Sequence, residues 1–305
     1  MDKKTAEDNI TKGETRKELK FTESTTEFKS GVEIYTWSLE PQNVKLRGII
    51  FVSHGFGEHS RRYDNFARLL SSELGIVVIS HDHVGHGRSG GERTIIDTFD
   101  TYVDDVFAHL DEKKKLYPDI PVYLFGHSMG GSIAILTACR KPDYFKAVAL
   151  SAPGIITDPS IEPSAFKMFV GRIMNHFFPR MESLPPVDPM VLSSDPNQVE
   201  AYRTDPLVDH NGVKLRFVMV FSDTVEKIKQ LIPSIQWPFL VIHGDDDKLT
   251  YIGGSQFLEK EAKSKDKEIK IYKGLKHEML NEVKEEADKV MSDIVEWLRQ
   301  RIPTD

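Results

Sequence analysis

The chain has 305 residues, of which 39% are hydrophobic and 29% charged, a composition typical of a soluble globular protein. Lysine and arginine total 40 against 47 aspartates and glutamates, and the resulting charge of −7 argues against nucleic acid as a partner, because such a partner requires a basic face. Cys139 is the only cysteine, which excludes an internal disulfide and fits a reducing compartment.

The N-terminal residues are polar and charged, without the apolar stretch that a secretion signal requires. We therefore predict a loosely ordered tail over residues 1–20 and a cytoplasmic location. No apolar run in the chain approaches the 18 or so residues that a membrane span needs.

Short β-branched runs then alternate with longer helical patterns. Buried strands are predicted at 46–53, 76–80, 121–125, 147–151, 238–243 and 268–272, and helices at 63–74, 99–117, 129–140 and 284–301. Runs that are apolar throughout indicate strands covered on both faces. The alternation predicts an α/β protein with a mostly parallel sheet flanked by helices, and residues 20–26 and 36–39 are predicted as antiparallel edge strands.

The alternation stops between residues 154 and 232, a segment with eight prolines and no clear buried strand. Because the pattern resumes afterwards, we predict a core formed by 21–153 and 233–305, with 154–232 inserted as a cap or lid. Ligands of open α/β sheets bind beyond the carboxyl ends of the strands, where such a cap would lie.

A candidate nucleophile stands in the motif Gly126-His-Ser-Met-Gly-Gly131, between a predicted strand and a predicted helix. A serine on so sharp a turn needs small neighbours on both sides, and the turn presents the hydroxyl at a helix N-terminus, where negative charge is favoured. The pattern predicts that Ser128 attacks an acyl carbon.

A serine needs a base, and in this arrangement the acid and then the histidine follow it along the chain. His277 is the one histidine beyond the last strand-end acids. The acid is expected within Asp245-Asp246-Asp247, and the Gly-x-x-Asp spacing after strand 238–243 favours Asp247. Asp247 would orient the imidazole and stabilise its charged form.

Two N–H donors must face the oxygen that becomes negative during acyl transfer. Met129 follows the nucleophile and is the first candidate. Phe56, in the loop after strand 46–53, is the second, because Gly55 lets the backbone approach closely.

Several motifs together resemble those of the monoacylglycerol lipases, a family of α/β hydrolases. They are His54-Gly-Phe-Gly-Glu-His59, Asp82-His-Val-Gly-His-Gly-Arg-Ser89, the nucleophile motif, Tyr202-Arg-Thr-Asp-Pro-Leu207 and His277. The resemblance implies an α/β-hydrolase fold with an inserted helical cap, and an enzyme that cleaves lipid monoesters to fatty acid and glycerol without a cofactor. It also implies a cytosolic protein that associates peripherally with membranes.

The resemblance further implies that Glu58 and Arg62 bind the glycerol end of the substrate, and Tyr202 is a third candidate for this contact. Their alternative interpretation is a surface ion pair near a helix start. The chain departs from the vertebrate pattern where Phe56 replaces an alanine and Leu280 replaces a second histidine.

A helical stripe in 164–178 contains the apolar residues Phe166, Phe169, Val170, Ile173, Met174 and Phe177. Such a stripe usually faces a core. A lipase that draws an acyl chain from a bilayer could instead expose it to the membrane surface.

Other classes of function fit the sequence less well. A lysophospholipase or general carboxylesterase would have the same three catalytic residues, and a catalytically silent α/β hydrolase is a further alternative. The cluster His81-Asp-His-Val-Gly-His86 resembles that of metallohydrolases, but Gly85 stands where an aspartate would be needed, so we predict no metal site. The oligomeric state stays open.

Overall fold

The computed structural model describes residues 18–160 and 163–303. Its strands are β1 (Leu19–Glu27), β2 (Glu33–Pro41), β3 (Ile49–Ser53), β4 (Val77–His81), β5 (Val122–His127), β6 (Phe145–Ser151), β7 (Glu182–Leu184), β8 (Val213–Lys214), β9 (Phe239–Gly244) and β10 (Lys267–Tyr272). Its α-helices are α1 (Asp64–Leu74), α2 (Phe99–Leu116), α3 (Met129–Arg140), α4 (Ala165–Phe177), α5 (Pro196–Thr204), α6 (Leu215–Leu231), α7 (Ile252–Glu261) and α8 (Lys284–Arg299). The predicted tail lies outside the described residues up to residue 17, and its last two residues, Leu19 and Lys20, belong to β1.

The main sheet has eight strands in the order β1-β2-β4-β3-β5-β6-β9-β10. The six strands from β4 to β10 in this order pair in parallel, whereas β1 and β2 are antiparallel at one edge. This confirms the predicted fold class, a mostly parallel sheet flanked by helices. The carboxyl ends of the parallel strands therefore lie at one side of the sheet, and the candidate residues follow four of these strands, β3, β5, β9 and β10.

Alternate residues of each central strand enter different cores, because successive side chains point to opposite faces of a sheet. In β3, Ile49 and Phe51 join a cluster with residues of α2, α3 and α7. Ile50 and Val52 join a second cluster with residues of α1 and α8. Both faces of the sheet are thus covered, which explains why the strands are apolar throughout.

Residues 154–232 lie between β6 and β9 and contain α4, α5, α6 and the two-stranded sheet β7-β8. We call this stretch the inserted segment. It joins the core at Gly57, whose carbonyl accepts a hydrogen bond from Asp209 N–H (2.7 Å). A second contact pairs His59 Nε2 with an Asp205 carboxylate oxygen at 2.9 Å.

Helix α4 has no buried residue. It approaches α6 at Gly171, where an added Cβ would lie 3.2 Å from Met219 Sδ. The apolar side chains Phe166, Phe169 and Phe177 are 74%, 60% and 67% exposed. This apolar stripe is therefore open to solvent, whereas stripes of this kind usually face a core. Within the described ranges, no helix is both long enough and apolar enough to cross a bilayer.

Candidate active site

Ser128 occupies a strained turn between β5 and α3. Its backbone has φ 54° and ψ −122°, which is unusual for a residue with a side chain. Ser128 N–H donates to Ser151 O at 2.9 Å, and its carbonyl accepts hydrogen bonds from Gly131 N–H (2.9 Å) and Gly154 N–H (3.1 Å). Such strain persists only where the surroundings hold the backbone firmly, and it is concentrated at functional sites.

The glycines on either side of the turn are required by close backbone approach. A Cβ on Gly126 would lie 2.3 Å from Gly130 O, and a Cβ on Gly130 would lie 2.2 Å from Ser53 O. Any side chain at these positions would push α3 away from β3 and β5. The glycines therefore keep Ser128 at the N-terminus of α3, beside the end of β3.

His277 and Asp247 are joined by a hydrogen bond of 2.7 Å between Nδ1 and Oδ2. Asp247 lies in the turn after β9, and His277 lies in the loop after β10. The other carboxylate oxygen, Oδ1, accepts hydrogen bonds from Leu249 N–H (2.7 Å) and Thr250 N–H (3.1 Å). These donors fix the carboxylate, and the carboxylate fixes the imidazole ring, so that Nε2 is left for a reacting group.

The two neighbouring aspartates have different partners. Asp245 Oδ1 accepts a hydrogen bond from Gly274 N–H (2.5 Å), and Asp246 forms an exposed ion pair with Lys248 (2.7 Å). Neither carboxylate is bonded to His277, so the structure brings only Asp247 of the three to the imidazole.

The charges around the Asp247–His277 pair shift the pKa values of both side chains. Burial would lower the pKa of His277, but the attraction and hydrogen bond of Asp247, reinforced by Glu278, raise this pKa above 6.5. Burial would raise the pKa of Asp247, but the charge and hydrogen bonds of His277 and His243 hold this pKa well below its usual range. Asp247 is therefore ionised throughout the neutral range, and it stabilises a protonated His277.

The sequence analysis did not single out two residues that contact Asp247. His243 Nε2 lies 3.1 Å from Asp247 Oδ2, and its Nδ1 lies 2.8 Å from Ser255 Oγ. Thr250 Oγ1 donates to Asp247 Oδ2 at 2.8 Å. Their sequence positions could have identified them, since His243 belongs to the strand that precedes Asp247 and Thr250 follows the same turn.

The structure brings His277 next to the residue that precedes the nucleophile, although β6 and β9 separate β5 from β10 in the sheet. The ring of His127, which precedes the nucleophile, lies 4.7 Å from the ring of His277 between centroids. Among the hydrogen bonds of the described residues, none joins Ser128 Oγ to His277. Catalytic hydrogen bonds of this kind are often long before substrate binds and tighten in the complex.

The loop after β3 lies against the nucleophile. We call residues 54–59, which contain the predicted oxyanion donor Phe56, the oxyanion loop. A Cβ on Gly55 would lie 3.3 Å from Ser128 Cβ, so the backbone passes close to the serine. Phe56 packs its ring on Phe217 of α6, with the centroids 4.2 Å apart. Phe56 thus follows the glycine that passes close to Ser128, and Met129 follows Ser128 itself, but the donor functions of both residues stay predictions.

Glu58, Arg62 and Tyr202 form one buried group rather than the surface ion pair considered from the sequence. Arg62 Nη1 donates to Glu58 Oε2 (2.8 Å), and the guanidinium carbon lies 4.9 Å from the centre of the Tyr202 ring. Arg62 also donates to both carboxylate oxygens of Glu278, at 2.5 and 2.7 Å. Their contact with a glycerol group stays a prediction.

The histidine cluster after β4 is internal. His83 uses both ring nitrogens, Nδ1 with His81 Nε2 (3.1 Å) and Nε2 with Ser53 Oγ (2.9 Å). Burial lowers the pKa of His81 to about 3, so its ring is neutral near pH 7. Within residues 18–160 and 163–303, no set of His, Cys, Asp and Glu side chains is arranged to hold a metal ion.

Comparison with known proteins gives consistent similarities. Residues 44–284 match the family described as "Serine aminopeptidase, S33". Monoglyceride lipase of Homo sapiens is 40% identical over 258 residues, 85% of this chain and 84% of that relative. Monoacylglycerol lipase of Mycolicibacterium smegmatis is 31% identical over 252 residues, 83% of this chain and 88% of that relative.

A solved structure is similar as well. The crystal structure of Paleococcus ferrophilus monoacylglycerol lipase superposes with a TM-score of 0.77 at 29% identity, and covers 88% of this chain and 99% of that chain. The similarity therefore extends over most of the chain, and the family match over residues 44–284 includes every candidate site residue.

Proposed function

This chain belongs to the monoglyceride lipase family of α/β hydrolases, and from that membership we propose that it hydrolyses monoacylglycerols to a fatty acid and glycerol. The membership confirms the resemblance that the sequence motifs indicated. The observation that carries the proposal is the Asp247–His277 pair, 2.7 Å apart, whose imidazole lies 4.7 Å from the ring of His127, the residue before a serine in a strained turn. Length and identity of the match support the choice of a lipid monoester as the substrate.

In the proposed mechanism, His277 accepts the proton of Ser128 Oγ while the oxygen attacks the ester carbonyl. The N–H groups of Phe56 and Met129 stabilise the oxyanion, and Asp247 stabilises the imidazolium. The imidazolium then protonates the leaving glycerol oxygen, which leaves an acyl enzyme. A water molecule, deprotonated by the same imidazole, releases the fatty acid and restores the serine. None of these steps uses a cofactor.

The inserted segment is proposed to deliver the substrate from a membrane surface. Support comes from α4, whose apolar side chains are exposed although the helix belongs to a folded protein. Large exposed apolar patches mark sites of protein or membrane contact. An amphipathic helix of this composition can lie in the interface with its apolar side among the acyl chains. We therefore propose that the protein is cytoplasmic and associates peripherally with membranes through α4.

Labelling with a fluorophosphonate probe, followed by kinetics, tests the proposed function. The Ser128→Ala variant should lose labelling, and its turnover of monoacylglycerol should fall by roughly three to six orders of magnitude, because the nucleophile is removed. Exposed Ser183, in β7, gives a matched control, and Ser183→Ala should label and turn over as the unaltered protein does. Labelling or full activity of Ser128→Ala would contradict the assignment.

A substrate panel tests the head group. Monoacylglycerol, lysophosphatidylcholine and a simple carboxylic ester of equal chain length should be compared by kcat/KM. The proposal requires the highest value for monoacylglycerol. A higher value for lysophosphatidylcholine would identify a lysophospholipase with the same catalytic residues.

A further inference from the structure

Three buried charged side chains connect the oxyanion loop to the loop that carries His277. Glu58, Arg62 and Glu278 are only 4%, 9% and 6% exposed at their side chains. Arg62 bonds both carboxylates, and Glu58 and Glu278 are separated by most of the sequence. We call these three residues the buried triad. Ion pairs so well desolvated require nearly complete hydrogen bonding, which the Arg62 fork supplies.

At one end, the buried triad holds the backbone of Gly55. Glu58 Oε1 accepts hydrogen bonds from Gly55 N–H (2.5 Å) and Tyr63 Oη (2.7 Å). The carbonyl of Gly55 accepts a hydrogen bond from His54 Nδ1 (2.8 Å). The donor is certain, because His54 Nε2 accepts the N–H of His83 and the ring proton must be on Nδ1.

This double attachment directs the next N–H group. In a planar trans peptide, the Gly55 carbonyl and the Phe56 N–H point in opposite directions. Because His54 holds the carbonyl on one side, the Phe56 N–H is turned to the other. No hydrogen bond among the described residues is donated by the Phe56 N–H. The group is therefore available to a ligand oxygen, as an oxyanion donor must be.

At the other end of the buried triad, Glu278 is itself the residue after His277. Glu278 accepts two hydrogen bonds from Arg62 and one from Asn281 Nδ2 (3.0 Å), and its own N–H donates to Leu192 O (2.8 Å). The loop that carries His277 is thus attached through one guanidinium to the loop that carries Phe56. Tyr202, from the inserted segment, covers the guanidinium.

We propose that Glu58, Arg62 and Glu278 are positioning residues, which hold the oxyanion loop and the His277 loop in a fixed relation during acyl transfer. The inference rests on the proposed function in that it assumes Ser128 as the nucleophile. It differs from a glycerol-binding role, since the polar contacts of the buried triad are made to the protein itself. Displacing a donor by about 1 Å can lower the rate a hundredfold, so the effect should appear in kcat.

The experiment compares two esters that differ in the leaving group. Monoacylglycerol has a glycerol end, whereas p-nitrophenyl acetate has none. Glu58→Gln and Arg62→Lys nearly preserve the side-chain volume. The first substitution removes the negative charge, and the second replaces the forked guanidinium donor by an ammonium group, which is a point charge. For both variants and both esters, we expect kcat to fall roughly 10- to 100-fold, with KM changed less than about threefold.

Matched controls separate this effect from general destabilisation. Glu40→Gln alters a half-buried carboxylate that accepts from Lys113 (2.7 Å), and Arg301→Lys alters a forked contact to Asp266. Both lie away from the site and should leave kcat unchanged for the two esters. Thermal unfolding midpoints of all four variants should be measured. At equal midpoints, the loss of kcat in Glu58→Gln and Arg62→Lys should exceed the loss in either control.

Three outcomes overturn the inference. The first is an unchanged kcat on both esters. The second is a loss of kcat/KM that is confined to monoacylglycerol and arises from a higher KM, which would assign the residues to glycerol binding. The third is a kcat loss that the controls reproduce at equal unfolding midpoints. If the unaltered protein cleaves p-nitrophenyl acetate but not monoacylglycerol, the proposed function fails, while the comparison of variants on p-nitrophenyl acetate still decides the positioning role.

Discussion

The Asp247 carboxylate receives hydrogen bonds from several directions. Leu249 and Thr250 bond one oxygen through their N–H groups, while His277 and the Thr250 hydroxyl bond the other. A carboxylate with this many donors has little freedom to rotate. Its function in the proposed mechanism is electrostatic and orientational, because a group with so low a pKa does not take a proton near neutral pH.

The raised pKa of His277 predicts the pH dependence of catalysis. The base must be neutral to accept the serine proton, so kcat/KM should fall as the pH decreases through the pKa of His277. We expect the midpoint of this acidic limb above pH 6.5. Asp247→Asn removes the main cause of the shift, so the midpoint should move down and kcat should drop by about 10⁴.

Profiles of kcat/KM between acidic and neutral pH measure this effect. The other ionisable groups that face His277 are Glu278, Glu58 and His127, and burial lowers the pKa of His127 to about 3. Asp246→Asn is the matched control, because its carboxylate is exposed and paired with Lys248. An acidic limb below pH 6.5 in the unaltered protein would be inconsistent with the assigned contacts.

At the scale of elements, α3 depends on its close approach to β3. A Cβ on Gly130 would lie 2.2 Å from Ser53 O and 2.4 Å from His54 O, both backbone atoms that cannot move alone. We predict that Gly130→Ala lowers the free energy of unfolding by roughly 3 kcal/mol, although alanine favours helices. Chemical denaturation of the purified variant measures this change.

Gly171→Ala in α4 provides the contrasting case. Its Cβ would meet the flexible end of Met219, at 3.2 Å from Sδ, so the neighbour can adjust. We expect the free energy of unfolding to change by less than about 1 kcal/mol. Equal effects of the two substitutions would show that backbone approach at Gly130 is not limiting.

The exposed side of α4 predicts membrane association. Phe169→Glu and Ile173→Glu place a charge where the proposed contact buries apolar surface, so both variants should lose co-sedimentation with liposomes. Activity on a water-soluble ester should be retained, because neither residue belongs to the catalytic group.

Leu116→Glu is the control for this measurement. Leu116 is also an exposed apolar residue, at 65%, but it lies at the end of α2 and not in the inserted segment. The variant should bind liposomes normally. Normal binding by Phe169→Glu and Ile173→Glu would refute α4 as the membrane contact.

For the molecule as a whole, Asp82 is a junction between distant parts of the core. Its carboxylate accepts hydrogen bonds from Ser60 N–H (2.8 Å), Ser60 Oγ (2.5 Å) and Arg88 N–H (2.7 Å). Ser60 Oγ in turn accepts from Trp37 Nε1 of β2 at 2.8 Å. The junction thus links β2 and the residue after β4 to Ser60, which directly follows the oxyanion loop.

We predict that Asp82→Ala lowers the free energy of unfolding by roughly 2–4 kcal/mol, because several buried donors lose their acceptor. Thermal or chemical unfolding should show the loss. Asp288→Ala removes a carboxylate from an exposed pair with Lys284, and such pairs contribute about 0–1 kcal/mol. A similar change in both variants would contradict the structural function of Asp82.

The sequence by itself determined the class of fold and the chain positions of the candidate site. Strand-length apolar runs and helical periodicity are local patterns, and they predicted the parallel sheet, which the structure confirms. The Gly-x-Ser-x-Gly motif could be interpreted because its strand and helix flank it directly. The choice among Asp245, Asp246 and Asp247 depended on spacing alone, and the catalytic assignments remain proposals.

Only the tertiary structure decided what each face and each charge contacts. A helical stripe reports which residues share a side of α4, but not whether a core covers that side. The sequence left a surface ion pair of Glu58 and Arg62 as an alternative to glycerol binding, because Glu278, which also bonds Arg62, lies more than two hundred residues away in the sequence. Burial, pKa shifts and the His243 contact arise from packing between such distant segments, which no local pattern specifies.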